Sequence, residues 1–169
     1  KIFLYFFELF FLFQYYKSMS YFAVGEFKKT LSFLNTILND NEQLIRQDIY
    51  SIARILNLVL HFELGNYEFT EYVIKSISRY LSKQDRNYET ETLLIKTIRK
   101  LSKNVLLEDQ QQIFIQLKSD LNNLFEDRHE QVILEYFNIT AWVESKINKT
   151  SYSEEVRKLL KSNSTSYND

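Results

Sequence analysis

Tyr21-Phe22-Ala23-Val24-Gly25-Glu26-Phe27-Lys28-Lys29-Thr30 is followed 40 residues later by His61-Phe62-Glu63-Leu64-Gly65-Asn66-Tyr67-Glu68-Phe69-Thr70. Ring, glycine, aromatic and threonine fall in the same order in both. Gly25 and Gly65 are the only glycines among 169 residues, and proline is absent. So few helix breakers predict long helices joined by short turns. A glycine in the left-handed conformation ends a helix and turns the chain. A fixed period in such a chain predicts stacked helical hairpins.

The offset of 40 continues upstream of the quoted stretch. Glu8 falls on Asp48, Leu9 on Ile49, Phe10 on Tyr50, Leu12 on Ile52, Tyr15 on Ile55 and Tyr16 on Leu56. The spacing predicts one hairpin over 2–39 and a second over 42–83, each a long helix followed by a shorter one. Asn39-Asp40-Asn41 reads as the turn and cap cluster between them, and Asn66 as the cap of the fourth helix. Beyond Leu81 the repeat fades. A degenerate hairpin is expected over 86–126, starting near Asp85, with Asn104-Val105 in place of the glycine turn. Capping helices follow over 128–161. Asp127 with Glu130 predicts the start of a helix over 128–147, and Ser151 with Glu154 the start of one over 152–161. The polar tail over 163–169 is expected to be disordered. Residues 1–162 thus read as one all-α domain of seven or eight helices.

Ile2 to Tyr16 is IFLYFFELFFLFQYY, interrupted only by Glu8 and Gln14. A membrane span or signal segment is one reading. A repeat helix is the other, and the shared register with the later helix favours it, so no membrane association is expected. A helix apolar all round needs cover on both sides. Self-association through this helix, or a pairing with a segment upstream of Lys1, is therefore an expectation. The chain begins at Lys1 and reads as part of something longer.

Composition removes several functions. Twenty-one basic and 22 acidic residues give a net charge of −1 with no long run of one sign. Nucleic acid is not expected as a partner, because phosphate binding needs a concentrated basic face. Absence of cysteine removes disulfides, thiol catalysis and thiolate metal sites, and fits a cytoplasmic protein. His61 and His129 are the only histidines and show no ligand spacing, so no metal site is expected. Two glycines in all exclude a glycine-rich phosphate loop. No catalytic residues and no cofactor are expected, and the chain reads as non-enzymatic.

Gly25-Glu26-Phe27 with Thr30, and Gly65-Asn66-Tyr67 with Thr70, resemble the turn of the tetratricopeptide-repeat (TPR) family. Tyr21 and His61 fall at its aromatic position, and Leu34 and Ile74 where it packs its second helix. Thr30 and Thr70 stand where the family prefers alanine, its closing proline is absent, and 40 residues exceed its usual unit of about 34. The stretch Ile49 to Tyr67 is also similar to uncharacterised bacterial proteins of this helical-repeat kind. The resemblance covers residues 1–83. It implies a right-handed α-superhelix, an αα-solenoid, whose concave face, lined by the first helix of each pair, acts as a scaffold that grips a protein or peptide. By register the first hairpin would contribute Leu12, Tyr15, Met19, Phe22 and Ala23. The second would contribute Ile52, Ile55, Val59, Phe62 and Glu63. Such an apolar groove suits a partner's amphipathic helix, and it equally suits a superhelix filled by its own later helices.

Arg54, Asn57 and His61 form a polar stripe at i, i+3 and i+7 on an otherwise apolar helix. Gln14, Lys17 and Tyr21 occupy the equivalent positions of the first. Buried charge needs a partner, and Asp48, Glu8 or Glu63 is expected to pair with Arg54. Two readings stand: a regulatory site for a polar ligand or peptide between repeats, or an interhelical network that sets register.

Overall fold

The computed structural model describes residues 2–39, 47–83, 88–103 and 106–165, with side chains from Tyr5 to Ser162. All regular structure among them is helical. Helices α1 (Ile2–Ala23) and α2 (Phe27–Leu38) form the first pair, and α3 (Gln47–Glu63) and α4 (Tyr67–Leu81) the second. Then come α5 (Glu89–Leu101), α6 (Leu107–Leu124), a 3-10 helix (Glu130–Glu135), α7 (Ile139–Asn148) and α8 (Tyr152–Thr165). The expected turn residues Asp40, Asn41, Asp85, Asn104 and Val105 lie outside the described residues, as does the tail beyond Thr165.

The two quoted stretches close their turns with the same pair of hydrogen bonds. Gly25 N–H donates to Phe22 O at 3.0 Å and Glu26 N–H to Tyr21 O at 2.9 Å. Gly65 N–H donates to Phe62 O at 3.0 Å and Asn66 N–H to His61 O at 2.9 Å. This is the Schellman pattern, which satisfies two carbonyls at a helix end and requires a left-handed residue. Gly25 and Gly65 supply it at φ of 76° and 69°. Thr30 and Thr70 are buried, and each hydroxyl donates to the carbonyl four residues back, at 3.1 and 3.5 Å. A threonine thus fits a packed position by bonding its own helix. A Cβ added at either glycine would meet no atom within 4 Å. Gly25→Ala and Gly65→Ala are therefore expected to cost backbone strain alone, about 1–2 kcal/mol each, and the asparagine variants less. Urea unfolding measures this. Neutral alanine variants would show that the left-handed turn is not what ends α1 and α3.

α3 is the central rod. Ile49, Ala53, Ile55, Leu56, Leu58, Val59 and Leu60 are all fully buried, so it is covered over most of its circumference, the stripe of Arg54 and Asn57 being only part-buried. α2, α4 and α5 present apolar stripes to it, led by Leu34 and Ile37, by Val73, Ile74 and Ile77, and by Leu94 and Ile98. α1 is buried along one face only, at Phe11, Tyr15, Ser18 and Phe22.

The expected helix over 128–147 is corrected. Asp127 caps a turn through Oδ1, which accepts from His129 N–H at 2.8 Å. The chain then makes the short 3-10 helix and restarts at Asn138, whose Oδ1 accepts from Ala141 N–H at 2.9 Å. Asn138 is a better N-cap than helix interior, and it splits one apolar run into two elements. Ser151 and Glu154 do form the expected capping box: Ser151 N–H donates to Glu154 Oε2 at 2.8 Å and Glu154 N–H to Ser151 Oγ at 3.3 Å. α8 continues to Thr165, past the expected end at 161.

Candidate functional site

The residues expected to line a concave groove are buried or part-buried, and Tyr15, Phe22, Phe62 and Glu63 meet the chain's own C-terminal elements. Tyr15, Phe22, Ile52, Ile55, Val59 and Phe62 are buried, and Leu12, Met19, Ala23 and Glu63 are part-buried. The Tyr15 hydroxyl donates to the carbonyl of Tyr136 at 3.1 Å, and burial first, then neighbouring tyrosines, push its pKa well up. Phe22 packs edge-on against Phe137 and Tyr152, with centroids 5.4 and 5.1 Å apart. Burial raises the Tyr152 hydroxyl to about 12. Phe62 meets Trp142 and Phe114. Glu63 accepts from Trp142 Nε1–H and from Lys146 Nζ, each at 2.6 Å. Of the two readings, partner helix or the chain's own later helices, the contacts of Tyr136, Phe137, Trp142 and Tyr152 on these residues favour the second.

The polar stripe opens elsewhere. Arg54, Asn57 and His61 lie on the side of α3 between α2 and α4, and all three line one cleft of about 390 Å³. Asn35 of α2 and Ser76 of α4 add polar groups, and Phe69 and Tyr72 of α4 form an aromatic wall. Those two rings are 47% and 63% exposed, and their centroids lie 5.0 Å apart.

The expected carboxylate for Arg54 is corrected. Asp48 accepts from the Tyr136 hydroxyl at 2.6 Å, and Glu63 serves Trp142 and Lys146. Among the described residues no carboxylate pairs with Arg54. Its Nη1 reaches Ser76 Oγ at 3.4 Å, and its guanidinium lies 4.6 Å from the centre of the Tyr80 ring. Nε is buried with no hydrogen-bond partner. Burial pulls its pKa down, with Tyr80 and Tyr50 opposing, yet an arginine stays charged at neutral pH. The ring face gives the cation some attraction but accepts none of its N–H groups.

Asn57 Oδ1 is likewise buried and unpartnered, one turn along the helix. His61 Nδ1 lies 3.3 Å from the side-chain nitrogen of Asn66, which makes no cap bond of its own. With the Asn66 amide donating, Nδ1 accepts and Nε2 carries the proton. Burial lowers the His61 pKa from 6.5, so the imidazole is neutral at pH 7. Among the described residues the cleft therefore holds one uncompensated cation, one acceptor without a donor and one neutral imidazole, walled by two rings.

The site that sequence reasoning missed is structural. Glu130 is buried, and its carboxylate accepts from Glu89 N–H at 3.0 Å and from Thr90 N–H and Oγ1–H, each at 2.8 Å. Its carboxylate caps α5 from 40 residues away instead of completing a capping pair with Asp127. Among the described residues no group of three His, Asp or Glu side chains could hold a metal ion. No described helix is long and apolar enough to cross a membrane. Comparison with protein-family models, curated proteins and solved structures finds no match to this chain.

Proposed function

We propose that the protein is a non-enzymatic, TPR-like interaction module whose ligand surface is the Arg54–Asn57–His61 cleft, and that it takes an acidic peptide segment there. The observation that carries this reading is Arg54, a guanidinium in a cleft with no carboxylate partner among the described residues. A part-buried cation with no counter-charge among the described residues is costly, and an incoming carboxylate relieves that cost. The neighbouring Asn57 oxygen seeks a donor. A small free anion offers charge without the spaced donors of a chain, whereas a peptide offers carboxylate and backbone N–H together. Neither Nε of Arg54 nor Oδ1 of Asn57 has a bond to give up when its side chain turns toward a ligand. Phe69 and Tyr72 supply apolar contact at the rim. The expected groove positions Tyr15, Phe22 and Phe62 already pack on Tyr136, Phe137, Trp142 and Tyr152, which is why the proposal places the partner on the polar cleft. A cytoplasmic setting accords with the absence of cysteine.

Thermal melts test the reading with three probes: an acetylated Glu-Gly-Glu peptide, its Gln-Gly-Gln counterpart, and inorganic phosphate. The acidic peptide is expected to raise the melting temperature and the other two are not. Arg54→Ala is expected to abolish that rise while its unliganded melt stays near wild type, since among the described residues Arg54 makes one long side-chain hydrogen bond. An equal shift in wild type and Arg54→Ala, or no shift with any probe, removes the site. Collapse of the variant without ligand shows that the stripe sets register instead.

A further inference from the structure

Seven of the fifteen large apolar side chains exposed among the described residues belong to α1. Six of them make one stripe. At about 100° per residue, Tyr5, Phe6, Leu9, Phe10, Phe13 and Tyr16 share an arc of about 140° on the helix surface. Their exposure runs from 43% at Phe10 to 74% at Phe6. The only charged residue in that arc is Lys17, and its ammonium is folded over the rings of Phe13 and Phe33, 4.5 and 5.3 Å from their centres.

The second hairpin shows what such a face does when it has a neighbour. At the 40-residue offset Leu9, Phe10, Phe13 and Tyr16 correspond to Ile49, Tyr50, Ala53 and Leu56 of α3, all of them 0–1% exposed. Tyr50 packs against α1 itself, with its ring 6.1 Å from that of Phe11. The positions that α3 buries, α1 leaves open.

We propose that this stripe docks on α1 of a second copy of the chain, the two helices crossing antiparallel about a two-fold axis. Area supports a copy as the occupant. At about 200 Å² for a large side chain fully exposed, the six present on the order of 700 Å². The largest apolar patch of a monomer is typically about 300–600 Å². A stable pair needs about 800 Å² from each partner. Chemistry supports it too. The stripe's one charge, Lys17, is already engaged over the Phe13 and Phe33 rings, so the fitting partner is a helix of similar length that brings no unpaired carboxylate to desolvate. The same stripe on a copy meets both conditions, and an isologous contact satisfies both chains at once. Leu9 of one copy then faces Phe13 of the other, and Phe6 faces Tyr16.

Sedimentation across the micromolar range tests this. The wild-type chain is expected to reach twice its 20.4 kDa mass. Leu9→Glu combined with Phe13→Glu is expected to stay at the single mass with an unchanged circular dichroism spectrum. Because the protein has no cysteine, Leu9→Cys and Phe13→Cys chains report the geometry independently of that variant's folding. Mixed and oxidised, they are expected to yield mainly the heterodisulfide. A wild-type chain that remains monomeric throughout overturns the proposal. So does a dimer that survives the double glutamate variant in folded form, a cross-link no richer in the mixed pair than chance, or a monomer that instead floats with phosphatidylcholine vesicles.

Discussion

Trp142→Ala is expected to lower folding stability by about 3–5 kcal/mol, the range for deleting a large buried aromatic. Trp142 is 1% exposed and sits where the two halves of the chain meet. Its ring touches Phe62 of α3 and Phe114 of α6, with centroids 6.3 and 5.6 Å away. Its indole N–H donates to Glu63 Oε1 at 2.6 Å, a charge-assisted bond in a part-buried setting. Alanine leaves a cavity bounded by three helices, and helices with their own neighbours have little room to collapse into it. Trp142→Phe separates the two contributions. It keeps most of the ring and removes the N–H, while Lys146 still holds Glu63 at 2.6 Å. Its expected cost is about 1–2 kcal/mol. Trp142 is the only tryptophan, so urea unfolding of the variants is followed by circular dichroism. An alanine variant within about 1 kcal/mol of wild type would falsify the view that the C-terminal segment is seated as core.

Glu130→Gln is expected to cost about 2 kcal/mol at neutral pH, and Glu130→Ala about 3 kcal/mol, because three donors at the start of α5 lose an ionised acceptor. Those donors are the backbone N–H groups of Glu89 and Thr90 and the Thr90 hydroxyl. The positive end of the helix adds to the preference for a carboxylate there. Burial on its own raises the pKa of Glu130. The bonds from Thr90 and Glu89 outweigh it and hold the group below its ordinary 4.5. The sign follows from linkage. An acid depressed in the folded state binds fewer protons there than in the unfolded chain, so its stabilisation is complete above about 4.5 and is lost as pH falls through the folded value. A protonated carboxyl and a carboxamide are close in shape and charge. The gap between wild type and Glu130→Gln is therefore expected to shrink below pH 4.5. Glu154 and Glu155 are also depressed by bonds in the α7–α8 turn. They titrate equally in both proteins and cancel from the difference. A gap that stays constant down to pH 3, or widens, rules out an ionised cap.

The parts of this fold legible in the sequence are those decided by near neighbours. Gly25 and Gly65 each answer a demand of the local backbone for a left-handed residue, and no distant contact alters that. Ser151 and Glu154 cap each other across three residues. Asp127 and Glu130 carry the same local pattern and behave differently, because the N-terminus of α5 offers Glu130 stronger donors than its own turn does. That competitor is invisible along the chain. The same reason misdirects Arg54. Asp48 and Glu63 are its sequence-near carboxylates, but Tyr136, Trp142 and Lys146 reach them first from the far end of the protein. The polar cleft was legible as a stripe on one helix. Its walls were not, since Asn35, Phe69 and Ser76 come from two other helices. The covered groove follows likewise from where α7 and α8 return, and no periodicity encodes a return path.

The bond from Tyr15 to Tyr136 spans 121 positions, and that from Trp142 to Glu63 spans 79. An open repeat array can gain or lose units at its ends, because each module leans only on the next. Here the last third of the polypeptide acts as a keystone wedged against the first two hairpins. In chain order Tyr15 and Phe22 precede their partners Tyr136, Phe137 and Tyr152 by more than 100 residues, so their packing waits on the final segment. Assembly is thereby tied to the final segment, and the protein gives up the modular growth that its repeated opening would otherwise allow.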